Sequence, residues 1–128
     1  MIKAQDLRIG NYIQDEVGSI FLVAGLQEVS IMTTSGGGYF TEKIFTGVEL
    51  TEDWLLKFGF QKTADLFIRS DIAVSLKNKF LYRNWVATDK EVYEKYTGWL
   101  PCASDLNYVH QLQNLFFALT GEELTIKP

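Results

Sequence analysis

The chain has 128 residues, 47% of them hydrophobic and 22% charged, and a net charge of −4, values that exclude a disordered polymer and argue against a general electrostatic grip on phosphate backbones. A chain of this length suits one compact domain or two small lobes and buries roughly two-thirds of its unfolded surface, so no disulfide or metal staple is required. One cysteine, Cys102, gives no internal disulfide, the start MIKAQDLRIG carries no apolar targeting core, and no run of about eighteen apolar residues occurs, so the expectation is a soluble cytoplasmic protein with no membrane partner.

In chain order, AQDLRIGNYI predicts a short turn feeding a strand, with Leu7 and Ile9 pointing inward and Gly10-Asn11 supplying the bend. Asp15-Glu16-Val17-Gly18 reads as a hairpin loop, SIFLVAGL as a mostly buried strand, and EVSIMTT as its partner with Val29, Ile31 and Thr33 alternating. Gly36-Gly37-Gly38 is a wide turn into YFTEKIFTGVEL, where Phe40 and the pair Ile44-Phe45 offer core residues. Four or five short strands in fifty residues predict a small, bent antiparallel sheet of SH3-like size.

Thr51 is a good N-cap, Glu52 and Asp53 favour the first turn of a helix, and Gly59 ends it, so a short helix carries Trp54, Leu55 and Phe58 on one stripe. ADLFIRS, DIAVSLK and KFLYRNWVA then form an antiparallel meander with turns at Ser70-Asp71 and Lys77-Asn78-Lys79. DKEVYEKYTGWL is read as a strand or irregular excursion. Pro101 punctuates the chain, Ser104 or Asp105 caps a long closing helix, Thr120-Gly121 stops it, and ELTIK adds a final short strand. The fold class is therefore α+β, with residues 1–50 as an N-terminal β lobe and 51–128 as an α+β lobe, packed directly as one unit.

From Leu106 to Gly121 sixteen residues carry no formal charge. A surface helix usually solvates its outer side with Lys and Glu, so this helix is expected to be covered. Tyr108, Val109, Leu112, Leu115, Phe116 and Leu119 share one face at about 100° per residue. A second stripe, Leu106, His110, Gln113 and Phe117, lies beside it, with Asn107, Gln111, Asn114 and Ala118 completing the turn. Two readings stay open. In one, the stripe packs under the N-terminal lobe with its amides bonded to loop backbone; in the other, His110, Gln113, Asn114 and Phe117 meet a protein partner or a second copy of the chain.

Catalytic and metal chemistry find little to work with. The lone Cys102 and lone His110 fall roughly 8–12 Å apart by helix rise, beyond a hydrogen-bonded nucleophile and base. One His and one Cys do not supply a usual zinc ligand set, and no cofactor is expected. The acidic pairs Asp15-Glu16, Glu52-Asp53 and Glu122-Glu123 all have solvated explanations, leaving a small carboxylate hydrolase as a remote reading. The glycine run lacks the Gly-Lys-Ser/Thr of a phosphate loop.

Residues 1–50 hold three basic and six acidic side chains, 51–97 eight and seven, and 98–128 one and three. An anionic partner would therefore meet the middle, where Arg69, Lys77, Lys79 and Arg83 lie among Phe67, Phe80, Tyr82 and Trp85. Cations interleaved with aromatics on a sheet suit single-stranded nucleic acid. Strand parity puts Lys77, Lys79, Leu81, Arg83 and Trp85 on one outer face and Phe80 and Tyr82 on the other, so a nucleic-acid-binding accessory factor is the alternative function.

The segments DLRIGNYI, LTEDWLLKFGF and NYVHQLQNLFFALTGEELTI resemble an uncharacterised family of small proteins from Bacteroidetes genomes, their prophages and other mobile elements. The resemblance covers most of the chain and implies an accessory role in a bacterial cytoplasm, with no activity and no functional residues to transfer. The function expected from the sequence is non-catalytic recognition of a protein partner.

Overall fold

A computed structural model describes residues 2–85 and 98–126 of the chain. It is an α+β structure, mostly antiparallel sheet, that divides into two units. The first comprises residues 1–49 and 108–124, the second 50–107 and 125–128.

In the first unit a single 3-10 turn, Ala4–Asp6, precedes β1 (Tyr12–Asp15), β2 (Ile20–Leu26), β3 (Ser30–Thr33) and β4 (Tyr39–Thr41). A second 3-10 turn, Glu42–Ile44, leads into β5 (Phe45–Gly47). The order β4-β3-β2-β1-β5 is an open antiparallel sheet: β4 and β5 are its edges and do not pair, so it does not close as a barrel. Ile13, Val23, Ile31 and Thr33 are buried, with Ile2, Ala4 and Leu7 adding to the same core, whereas Val29, expected to alternate with Ile31 and Thr33, precedes β3 and is 57% exposed. Ile9 breaks the expectation. It is 64% exposed, because Gly10 (φ 95°) bends the chain before Tyr12, and Leu7 alone of the pair turns inward.

The second unit opens with α1 (Glu52–Lys57), whose N-cap Thr51 oxygen accepts from the Trp54 N–H at 3.5 Å and whose end is marked by Gly59 at φ 89°. Leu55 and Phe58 are fully buried. The meander follows as β7 (Leu66–Arg69), β8 (Ile72–Ser75) and β9 (Phe80–Trp85), flanked by β6 (Gln61–Thr63) and β10 (Gly98–Ala103) in the order β10-β9-β8-β7-β6. Two tight turns set the register, each with a non-glycine residue at positive φ: Ala64 (54°) before Asp65, and Ser70 (54°) before Asp71. Every residue of β8 is buried, so this strand is covered on both faces. Of DKEVYEKYTGWL, residues 89–100, read as a strand or irregular excursion, 89–97 lie outside the described residues and Gly98, Trp99 and Leu100 open β10.

The long helix, α2 (Val109–Thr120), corrects the sequence reading twice. It starts after Tyr108 rather than at Ser104 or Asp105, because Asp105 is left-handed (φ 57°) and the Leu106 N–H donates to the Lys79 carbonyl at 3.0 Å, holding 105–107 outside the helix. Gln111 Oε1 then accepts from the Tyr108 N–H at 3.0 Å and serves the helix start. The second correction concerns the lobe of residues 51–128: α2 groups with the N-terminal unit. Glu49 bridges Tyr108, and the Val109 N–H donates to the Val48 carbonyl at 2.8 Å, so the returning chain extends the edge at β5 before it coils. Gly121 closes α2 at φ 76°, as expected, but residues 123–126, the described part of ELTIK, form no strand; Leu124 instead buries its side chain.

Candidate recognition site

The uncharged side chains of α2 are explained first by what they hold. Gln113 is 1% exposed. Its Oε1 accepts from the Tyr12 N–H at 2.9 Å and from Asn11 Nδ2 at 3.3 Å, while its Nε2 donates to the Gly10 carbonyl at 3.0 Å. Asn114 Oδ1 accepts from Asn11 Nδ2 at 2.9 Å, and Asn114 Nδ2 donates to the Asp6 carbonyl at 3.1 Å. Asn11 Oδ1 in turn accepts from the Arg8 N–H at 2.7 Å. Backbone groups of the Asp6–Tyr12 segment that find no partner in the sheet ladder need both donors and acceptors, and a primary amide offers both without burying a charge.

Phe117 remains at the surface, 38% exposed. The Arg8 guanidinium lies 3.9 Å from its ring centroid and is ion-paired with Glu123, so a cation and its counter-ion cover one face of this aromatic. His110 is buried and stacked on Tyr108 with ring centroids 5.6 Å apart and planes 15° apart. Gly47 makes this stack possible: a Cβ there would sit 2.8 Å from two ring carbons of Tyr108 and 3.0 Å from His110 Cε1.

Burial pushes the His110 pKa below its ordinary value, and the charge of Asp6 acts weakly in the opposite sense. Its Nδ1 is buried without a hydrogen-bond partner among the described residues, which gives an imidazolium nothing to donate to there. With the folded pKa below the unfolded one, the unfolded chain binds the extra proton. Stability at His110 is full above about pH 6.5 and declines as pH falls through the unfolded value toward the folded one. Urea midpoints at pH 7.5 and 5.5 should therefore differ more for the wild type than for His110→Gln, and equal differences would refute the assignment.

The basic strands are arranged differently from strand parity. Lys77 and Lys79 sit in the β8–β9 connection, and Lys79 at φ 60° breaks the alternation before β9 begins. Register places Arg69, Ile72 and Arg83 side by side on three strands. On the same face Leu81 is fully buried, so this face is not an outer basic one. Arg69 donates to the Phe58 carbonyl at 2.8 Å, and Arg83 lies 3.6 Å from Asp71. Trp85 closes β9 opposite Gly98. Phe80 and Tyr82, on the other face, are half-buried with ring centroids 5.9 Å apart. The cations are thus spread over a turn and two internally engaged arginines rather than gathered as one groove.

The sequence reading missed a cavity of about 220 Å³ at one end of the first sheet, lined by Asp15, Phe21, Thr33, Ser35, Gly36, Phe40, Ile44 and Phe45. The residues arrive from the end of β1, from β2, from the exit of β3, from β4 and from the turn into β5. Phe21 and Phe45 meet edge to face, 6.3 Å apart with planes at 77°. Phe40, expected in the core, is instead 43% exposed at this cavity. The glycine run shapes the adjoining loop: Gly36, Gly37 and Gly38 all adopt positive φ, and a Cβ at Gly37 would stand 3.4 Å from the Phe40 ring. Thr33 and Ser35 share a hydroxyl hydrogen bond of 2.6 Å beside it. The clue in the sequence was three Phe bracketing a glycine turn, but which of them converge depends on pairing across four strands.

Cys102 is exposed on β10 in the second unit, whereas His110 belongs to the first. Among the described residues no group of three His, Cys, Asp or Glu could hold a metal ion, and no helix is long and apolar enough to cross a membrane. Comparison with protein-family models, with curated proteins and with solved structures gives no match.

Proposed function

We propose that this chain is a non-catalytic recognition protein that binds a protein partner through its N-terminal unit. The observation carrying the reading is the aromatic-lined cavity, which opens at the surface at the exposed Phe40 of an edge strand. Its 220 Å³ lies below the roughly 300–1,000 Å³ of sites that enclose a whole small molecule or cofactor, and suits the end of one side chain. An edge strand with free backbone groups next to such a cavity is the arrangement by which an extended peptide adds to a sheet and anchors one residue.

Of the α2 residues first considered for a partner, Gln113 and Asn114 are occupied by the N-terminal segment and His110 by Tyr108, which leaves Phe117 as a secondary contact. The sequence resemblance to small proteins of bacterial mobile elements supports an accessory role in that setting. A random-peptide display selected on the protein should enrich one sequence family that fails to bind Phe40→Ala. Absence of any enriched family, or a family indifferent to Phe40, would refute this site.

A further inference from the structure

We propose that the cavity takes the ammonium end of a lysine side chain presented by the partner; this rests on the recognition reading above and gives it a ligand chemistry. Among the lining residues Asp15 is the one ionised group, and no basic side chain accompanies it. Its Oδ1 accepts from the Val17 and Ser19 N–H groups at 3.0 and 2.9 Å, which fixes the carboxylate, while Oδ2 accepts no hydrogen bond among the described residues. A carboxylate is thus held in place by one oxygen, while the other is left for a ligand or solvent to meet.

The remaining wall is mostly apolar, three Phe and Ile44, with Gly36 and the mutually bonded hydroxyls of Thr33 and Ser35 beside them. The Phe21 and Phe45 rings stand almost perpendicular to each other, with Phe40 as a third ring, and ring faces attract cations. Lysine matches this combination, since its aliphatic stem packs on rings while its compact head seeks an acceptor. Arginine matches it less well, because a guanidinium fork is best met by two available carboxylate oxygens and Asp15 has one engaged. An anionic ligand would meet the charge of Asp15. The surrounding sequence agrees in sign, with three basic against six acidic side chains over residues 1–50.

The test uses the full chain, isotopically labelled, titrated with N-acetyl-lysine N-methylamide and with its norleucine counterpart, which lacks only the ammonium. Saturable shifts at the Gly36, Phe40 and Phe45 amides are expected with the lysine probe, and binding about tenfold weaker with norleucine. Asp15→Asn is the decisive variant, because an amide oxygen can keep both turn hydrogen bonds while the charge is lost; its spectrum should otherwise persist and its preference for lysine disappear. Equal binding of the two probes, or an Asp15→Asn that keeps the preference, would overturn the proposal. A Phe40-dependent peptide family without lysine would leave the recognition reading standing and sink this one. Binding of the lysine probe with no enriched peptide would instead overturn the protein partner as its source.

Discussion

Gln113→Ala is expected to destabilise the N-terminal unit by about 2–3 kcal/mol, the largest effect of any single polar substitution in α2. The amide removed satisfies a Tyr12 N–H, a Gly10 carbonyl and part of Asn11 at once. Each group left unpaired costs about 1–3 kcal/mol when water is kept away. Because the Gly10 end is partly open, the lower part of that range applies there. The unfolding midpoint should fall by about 5–10 °C, and amide exchange at Tyr12 should accelerate ahead of exchange in β8. Gln113→Glu sharpens the test, since it keeps the shape and the acceptor for Tyr12 but sets a carboxylate oxygen against the Gly10 carbonyl. That variant should be at least as damaged at pH 7 and partly restored on acidification, when its protonated carboxyl can donate as the amide does. An unchanged midpoint for both variants would mean that the amide network does not hold the segment.

These bonds also mark how far the sequence could be read. Signals confined to a few neighbouring residues translated directly: Thr51 capped α1, Ser70-Asp71 turned the meander, and Gly121 stopped α2. The α2 amides were legible as an anomaly, an uncharged run that needed covering, but their partners Gly10, Asn11 and Tyr12 lie about a hundred positions earlier. Periodicity reports which face of an element is apolar and is silent on what covers it. The same limit misplaced the basic face. Strand parity does not extend back through Lys79, where a positive φ resets the alternation, so Lys77 and Lys79 do not join the strand that begins at Phe80. The cavity was least legible of all, because Asp15, Phe21, Ser35, Phe40 and Phe45 come together only through the register of an open five-stranded sheet.

Gly47→Ala should destabilise the same unit by about 1–3 kcal/mol, against the intrinsic preference. Glycine within a strand normally costs about 0.5–1 kcal/mol relative to alanine, and Gly47, paired with Ile13, is not in the left-handed region, so its backbone would accept a side chain. The obstacle is space. A Cβ would stand 2.8 Å from Tyr108 Cδ1 and Cγ and 3.0 Å from His110 Cε1, closer than carbon atoms approach without displacement. The two rings are stacked on each other, so neither can yield by moving toward the other. Tyr108, already 41% exposed, has the freer path and should swing into solvent, carrying away the ring that covers His110. A double-mutant cycle separates this from a backbone effect: in a Tyr108→Ala background most of the clash is gone, and Gly47→Ala should cost at least 1 kcal/mol less than in the wild type. The displaced stack should also appear as a shift of the His110 Hε1 resonance in Gly47→Ala. Additive costs, with that resonance unmoved, would show that Gly47 is glycine for a reason other than the rings above it.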